Sequence, residues 1–159
     1  VTLSFDATAR RFVPVFALHV AEEAPGFTAW ARRHASERFS QRDFVVNNAL
    51  GLAVTAVATV AVQRSSARPL TLAYGTLVAT QQGVFDTLFH GGSTLALREY
   101  SPGLVMSLAS AVLWRRMTRA ALAEARLTRR DVRRAIAAAG VVHVAVVACQ
   151  VFFLGVRER

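Results

Sequence analysis

The residues with chemical potential fall into two short groups, His19, Glu22 and Glu23 in one and Gln82, Asp86 and His90 in the other. On a helix, His19 stands three residues from Glu22 and four from Glu23, so each pair shares a face, one above the other. Gln82, Asp86 and His90 are each four apart and form one polar stripe. Both groups lie in apolar surroundings, where an isolated carboxylate costs at least about 2.5–3.5 kcal/mol at the centre of a membrane span. Such groups must face one another, a cavity or a cation. Two imidazoles with up to three carboxylates suit zinc or iron. His19, Glu22, Glu23, Asp86 and His90 are therefore the candidate metal ligands. Glu22, Glu23 and Asp86 are the candidate acid–base groups. Asn48, Gln82 and His143 are the expected supporting positions beside them.

Other chemistries fit the same residues. A protonated or hydrogen-bonded network without metal, a proton or solute site in a transporter or small-molecule-binding protein, and a structural role all account for buried polar groups. Asn47 and Asn48 cannot both point at one site, and Asn48 is preferred because Gly51 and Thr55 continue its face. His143 also fits a core histidine bonded across helices, and His34, among Arg32, Arg33 and Glu37, fits the surface. The site is expected to be a polar, lipid-accessible cavity between the first and third helical segments. Its substrate would be a lipophilic small molecule entering sideways.

The elements that must position these groups follow from the distribution of apolar residues. Of 159 residues, 53% are hydrophobic, and they come in blocks rather than scattered. A span needs about 20 mostly apolar residues. The expected fold is all-α, a polytopic transmembrane helical bundle of about five spans forming one domain. The approximate spans are 9–29, 44–62, 70–89, 102–117 and 135–156. Pro25-Gly26 breaks the first, and Trp30 beside Arg32 and Arg33 fits an interfacial anchor. Cys149, alone in an apolar run, makes no intrachain disulfide. No cleavable signal peptide is expected, because His19, Glu22 and Glu23 interrupt the first apolar run.

The net charge of +9 comes wholly from arginine among the basic residues, and eight of the nineteen arginines lie from Arg115 to Arg134. A basic run beside an apolar block fits a cytoplasmic loop facing anionic lipid better than a nucleic-acid surface. With five spans and a cytoplasmic N-terminus, the inner side holds Arg10, Arg11, Arg64, Arg68 and those eight. Seven remain outside, Arg157 and Arg159 among them. The expected partner is the lipid bilayer, with no nucleic acid.

The motif His19-Val20-Ala21-Glu22-Glu23 resembles the one that names the HXXEE-motif family of small prokaryotic integral membrane proteins of unknown function. Phe85–His90, Gly91-Gly92 and Tyr100-Ser101-Pro102-Gly103 are also similar to that family, from about Phe12 to Trp114. Asp86 stands where relatives more often carry Asn, which adds a possible anionic ligand. The resemblance implies a prokaryotic cell-membrane location and no particular activity. Paired glutamates with His-bearing helices are similar in outline to intramembrane CAAX-type proteases. The arginine expected after such a pair is Phe27 here.

Overall fold

The computed structural model describes residues 3–152, with side chains to residue 148, and these residues form helices and connecting turns without a strand. Cys149 and Gln150, as side chains, and Arg157 and Arg159 lie outside the described residues. Helix α1 (Phe5–Ala9) leads into α2 (Phe12–Glu23), and α3 (Phe27–His34) follows the Pro25-Gly26 break. Next come α4 (Gln41–Arg64) and α5 (Arg68–Tyr74), whose path continues through π-helical turns at Gly75–Ala79 and Gln81–Phe85 into α6 (Asp86–Leu97). Residues 68–97 thus form one long rod. Helices α7 (Leu104–Ala123) and α8 (Arg129–Phe152) complete the chain.

Two helix starts are written in the sequence as reciprocal caps. At α4, Asp43 N–H donates to Ser40 Oγ at 3.1 Å and Ser40 N–H donates to Asp43 Oδ2 at 2.9 Å. At α8, Thr128 and Asp131 repeat the pattern at 3.2 and 2.8 Å. Each box satisfies two donors that a helix end otherwise strands.

The apolar core lies at the end of the bundle where α1, the end of α5 and the second half of α7 meet. Phe5 and Phe12 pack edge-on against Tyr74 at centroid distances of 6.2 and 6.1 Å, and Tyr74 O–H donates to Ala9 O at 3.0 Å. Val62, Val78 and Met117 close around them. Ion pairs tie the same end from outside: Arg126 to Asp6 at 3.0 Å, and Arg68 to both carboxylate oxygens of Asp131 at 3.0 and 2.8 Å.

Among the described residues one helix, Gln41–Arg64, is long and apolar enough to cross a membrane. The five expected spans do not each meet that standard. Helix α2 is too short by itself, α7 carries Arg115, Arg116 and Arg119 in its second half, and π turns divide the 68–97 rod. The helical breaks and charges therefore fall inside the stretches that composition marks as apolar.

Asp131 generates a test of the bundle's basic end. The Arg68 guanidinium, followed by the Thr128 backbone and hydroxyl donors, holds its carboxyl well below the usual carboxylate range. A depressed folded-state pKa stabilises above the unfolded value, about 3.9, and that contribution is lost as pH falls below it. Asp131→Asn is expected to lower the melting temperature by a few degrees at pH 7. The gap from wild type should narrow as pH falls below about 4, which melting curves over pH 3–7 would check.

Candidate metal centre

The His-x-x-x-Glu spacing on α2 puts His19 and Glu23 on one face, and α6 brings His90 to the same point. Glu23 Oε1 stands 3.5 Å from His19 Nε2 and 3.5 Å from His90 Nε2. One ligand atom from each of the three lies within 4.8 Å of the other two, and all three residues are buried. These separations exceed an ordinary N–H···O hydrogen bond, about 2.7–3.2 Å. They match the spacing of neighbouring ligands on one tetrahedral ion, since bonds of about 2.0–2.1 Å place them about 3.3–3.4 Å apart. Two of the three separations, from the Glu23 carboxylate to each imidazole, have that size, and the third is within 4.8 Å.

The second ring nitrogen of His90 orients it. His90 Nδ1 and Ser101 Oγ are 2.9 Å apart, and Ser101 is fully buried. In the tautomer that donates from Nδ1, the Nε2 lone pair faces Glu23, which is the arrangement a metal-ligating imidazole needs. Ser101 is held in turn, its N–H donating to Thr94 Oγ1 at 3.0 Å. Phe16 stacks on His19 at 5.9 Å, and Phe27 and Phe89 meet His90 edge-on at 6.2 and 5.0 Å.

Glu22, expected as a ligand or acid–base group, is used differently. Its carboxylate accepts from Val105 N–H at 3.0 Å, from Met106 N–H at 2.8 Å and from the Tyr100 hydroxyl. It therefore caps the start of α7, where no side chain of α7's own cap does so. A carboxylate is stabilised there by unpaired N–H groups and by the positive end of the helix dipole. Consecutive residues on a helix point about 100° apart, enough for α2 to send Glu22 and Glu23 to different partners.

Gly103 was not legible as part of the site. It sits at φ 105°, and a Cβ there would meet His90 Cε1 at 2.7 Å and His19 Cε1 at 2.8 Å. Both the left-handed backbone and the contact with two imidazoles require glycine. Ser101 and Gly103 thus belong to the site through the loop that Glu22 grips.

The remaining expectations divide. Asn48 is near the centre: its amide nitrogen approaches Glu23 Oε2 at 3.5 Å and donates to Phe44 O at 3.1 Å. Gly51 packs under the Phe16 ring and Thr55 is buried, so this face of α4 does turn inward. Asp86 lies one turn before His90, close enough for the charges of His19 and Glu23 to reach it, and no described residue hydrogen-bonds its carboxylate. Gln82 is not a partner of the three: its amide nitrogen donates to Thr55 Oγ1 at 2.7 Å. His143 is also elsewhere, stacked on Phe85 at 5.3 Å with Nδ1 3.2 Å from Gln81 Oε1. The π turns explain the diversion, because they rotate Gln81 and Gln82 out of the stripe that a regular helix would continue. His34 pairs with Glu99 at 2.9 Å on the surface, and it and Arg33 hold the Glu99 carboxyl below its ordinary range.

Rings and Gly103 pack against the imidazoles. A pocket lined by Pro25, Thr28, Arg32 and Gln41 among others lies beyond Glu23 on the α3 side.

Replacing Glu22 by Gln should leave the three ligands in place yet loosen the loop that aligns them. Metal affinity is expected to fall about 10–100-fold, the usual effect of losing an outer partner. Gly103→Ala should fall further, because its Cβ displaces both rings. Isothermal titration with zinc, on detergent-purified protein, measures both.

Searches of curated proteins and of solved structures found no match to this chain. A family model described as "Protein of unknown function with HXXEE motif" matches residues 11–114. That stretch contains His19, Glu22, Glu23, His90, Ser101 and Gly103, and it ends before the arginine-rich connection between α7 and α8. With well over half of its length inside the match, the chain belongs to the HXXEE-motif family.

Proposed function

We propose that the protein is an integral membrane metalloenzyme in which His19, Glu23 and His90 hold one divalent cation, zinc or ferrous iron. The observation that carries this reading is the pair of 3.5 Å separations from one carboxylate oxygen to two imidazole nitrogens. Two histidines and one carboxylate leave a tetrahedral ion one position for water, the ligand count of catalytic rather than structural zinc. A cation held by these three residues would supply Lewis acidity to a bound water. Asp86, one turn before His90, is the carboxylate this reading assigns as proton acceptor, and Glu22 acts only as a clamp. The substrate class is lipophilic, because the groups around the site are aromatic and apolar.

The surface supports a bilayer setting. The apolar window of α4 is only 17% buried, unlike the core helix of a soluble protein. Large apolar side chains are exposed on several helices, Val57, Leu95 and Val141 at 71%, 81% and 72% among them. In this reading α4 crosses the bilayer, and α2–α3, the 68–97 rod, α7 and α8 complete a bundle of about five passes. Its N-terminus and basic end face the cytoplasm of a prokaryotic cell.

A second reading, a proton- or solute-binding protein or transporter without metal, draws on Gln82 Oε1, which is buried without a partner one turn from Asp86. Metal content separates the two. Protein extracted from membranes with detergent is expected to hold about one equivalent of zinc or iron by elemental analysis. His19→Ala and His90→Ala should each lose it. Zinc added at a hundredfold excess over Kd should stabilise wild type by about 2.7 kcal/mol and leave both variants unmoved. Release of the protein by carbonate without detergent would overturn the membrane assignment. Absence of any zinc- or iron-dependent melting shift would leave the metal-free reading.

A further inference from the structure

Chain connectivity and cross-element contacts gather the basic residues at one end of the bundle. Arg68 reaches Asp131, Arg126 reaches Asp6, and Phe5 N–H donates to Glu124 Oε1 at 2.7 Å. The start of α1, the α4–α5 turn and the α7–α8 connection are therefore neighbours. Between Arg115 and Arg134, every arginine except Arg126 is exposed. None of these exposed arginines has a carboxylate partner among the described residues. The local acids are already engaged: Asp131 by Arg68, Asp6 by Arg126, and Glu124 by Arg126 and Phe5 N–H. The charge is uncompensated.

What adjoins this band indicates its partner. Moving along α7 away from Arg115, Val112, Leu108 and Val105 are 52%, 51% and 59% exposed. Moving along α8 away from Arg134, Val141 and Val144 are 72% and 68% exposed. Cationic rows thus pass directly into bare apolar rows on two successive helices. A nucleic-acid surface has no use for the second feature. A bilayer leaflet presents both complements in the same order, phosphate headgroups and then acyl chains.

We propose that the α7–α8 connection is a binding surface for anionic phospholipid headgroups, with Arg129, Arg130, Arg133 and Arg134 as its main contacts. The proposal rests on the membrane reading above, but not on the metal. The four arginines occupy the first two turns of α8 within an arc of about 140°, so they form one broad cationic face that meets several headgroups rather than one enclosed lipid. Each basic residue close to an anionic leaflet strengthens association about fivefold, and salt weakens it.

The test uses the full chain in neutral detergent, with phosphatidylglycerol or phosphatidylcholine added at equal mole fraction and melting followed by circular dichroism. Phosphatidylglycerol is expected to raise the melting temperature, with the shift reduced in high salt, while phosphatidylcholine gives none. The Arg129→Gln, Arg130→Gln, Arg133→Gln, Arg134→Gln variant should lose at least about tenfold in apparent lipid affinity. Lysine at the same four positions should restore most of it, which guards against a variant that merely misfolds. An equal shift with phosphatidylcholine, or an undiminished shift in the glutamine variant, would overturn the proposal. So would an equal response to inorganic phosphate, or tighter binding of a short RNA than of the anionic lipid. Failure here with intact detergent dependence leaves the membrane assignment standing.

Discussion

The site depends on one carboxylate at one helix end. Glu22 accepts two backbone N–H groups of α7 and the Tyr100 hydroxyl, so it joins the motif helix to the loop between α6 and α7. Helix ends leave their first N–H groups without partners along the helix. Glu22 and α7 therefore solve each other's problem: a half-buried anion and a set of unmet donors. The fixed loop then carries Ser101 to His90 and Gly103 against both imidazoles. The two adjacent glutamates of the motif divide the labour, Glu22 building the wall and Glu23 facing the centre.

The long rod of residues 68–97 is the other part of that wall. Its π turns widen the helix just where it meets α7 most closely. At Gly83 a Cβ would lie 2.3 Å from Trp114 Cβ and 2.9 Å from Ser110 O, so only glycine permits the approach. Below this contact Trp114 Nε1–H donates to Thr80 Oγ1 at 3.3 Å, and above it Thr87 Oγ1 donates to Ser107 O at 2.8 Å. The helix bearing His90 is thereby held to α7, the helix whose N-terminus Glu22 caps. Close backbone approach through small residues is how helices associate where lipid provides no hydrophobic drive.

The molecule is asymmetric along its length. Aromatic packing around Tyr74 and the Arg68–Asp131 pair secure the end opposite the triad, and the uncompensated arginines lie there too. Charged groups that face outward are gathered where the chain turns, and those that face inward are paired. Gln82 Oε1, on the rod that carries His90, is one of several buried polar atoms without a partner among the described residues, with Trp30 Nε1, Asn47 Nδ2 and Gln63 Nε2. Unmet polar groups in an otherwise satisfied interior are where chemistry has room to happen.

The one-turn spacing of His19 with Glu23 and of Asp86 with His90 was legible without a structure, because helical periodicity alone decides which side chains stack. So was the all-α class, from apolar blocks too long for strands. The inward face of α4 followed from Asn48, Gly51 and Thr55 at helical spacing. Which glutamate meets the histidines was not legible, since that depends on how α2 is rotated against α6 and α7, and packing sets that angle. Ser101 and Gly103 gave only the signal of a turn; their role comes from a loop folded back across the α2–α6 contact. Gln82 and His143 left the expected cluster because π turns alter the helical phase between residues 75 and 85, a change invisible to a fixed period. The apolar blocks likewise predicted about five spans, whereas among the described residues only Gln41–Arg64 is long and apolar enough to cross a membrane: a break shortens α2, π turns divide the rod and arginines occupy the second half of α7. Composition decided where the chain is apolar and helical. Tertiary packing decided which polar groups meet.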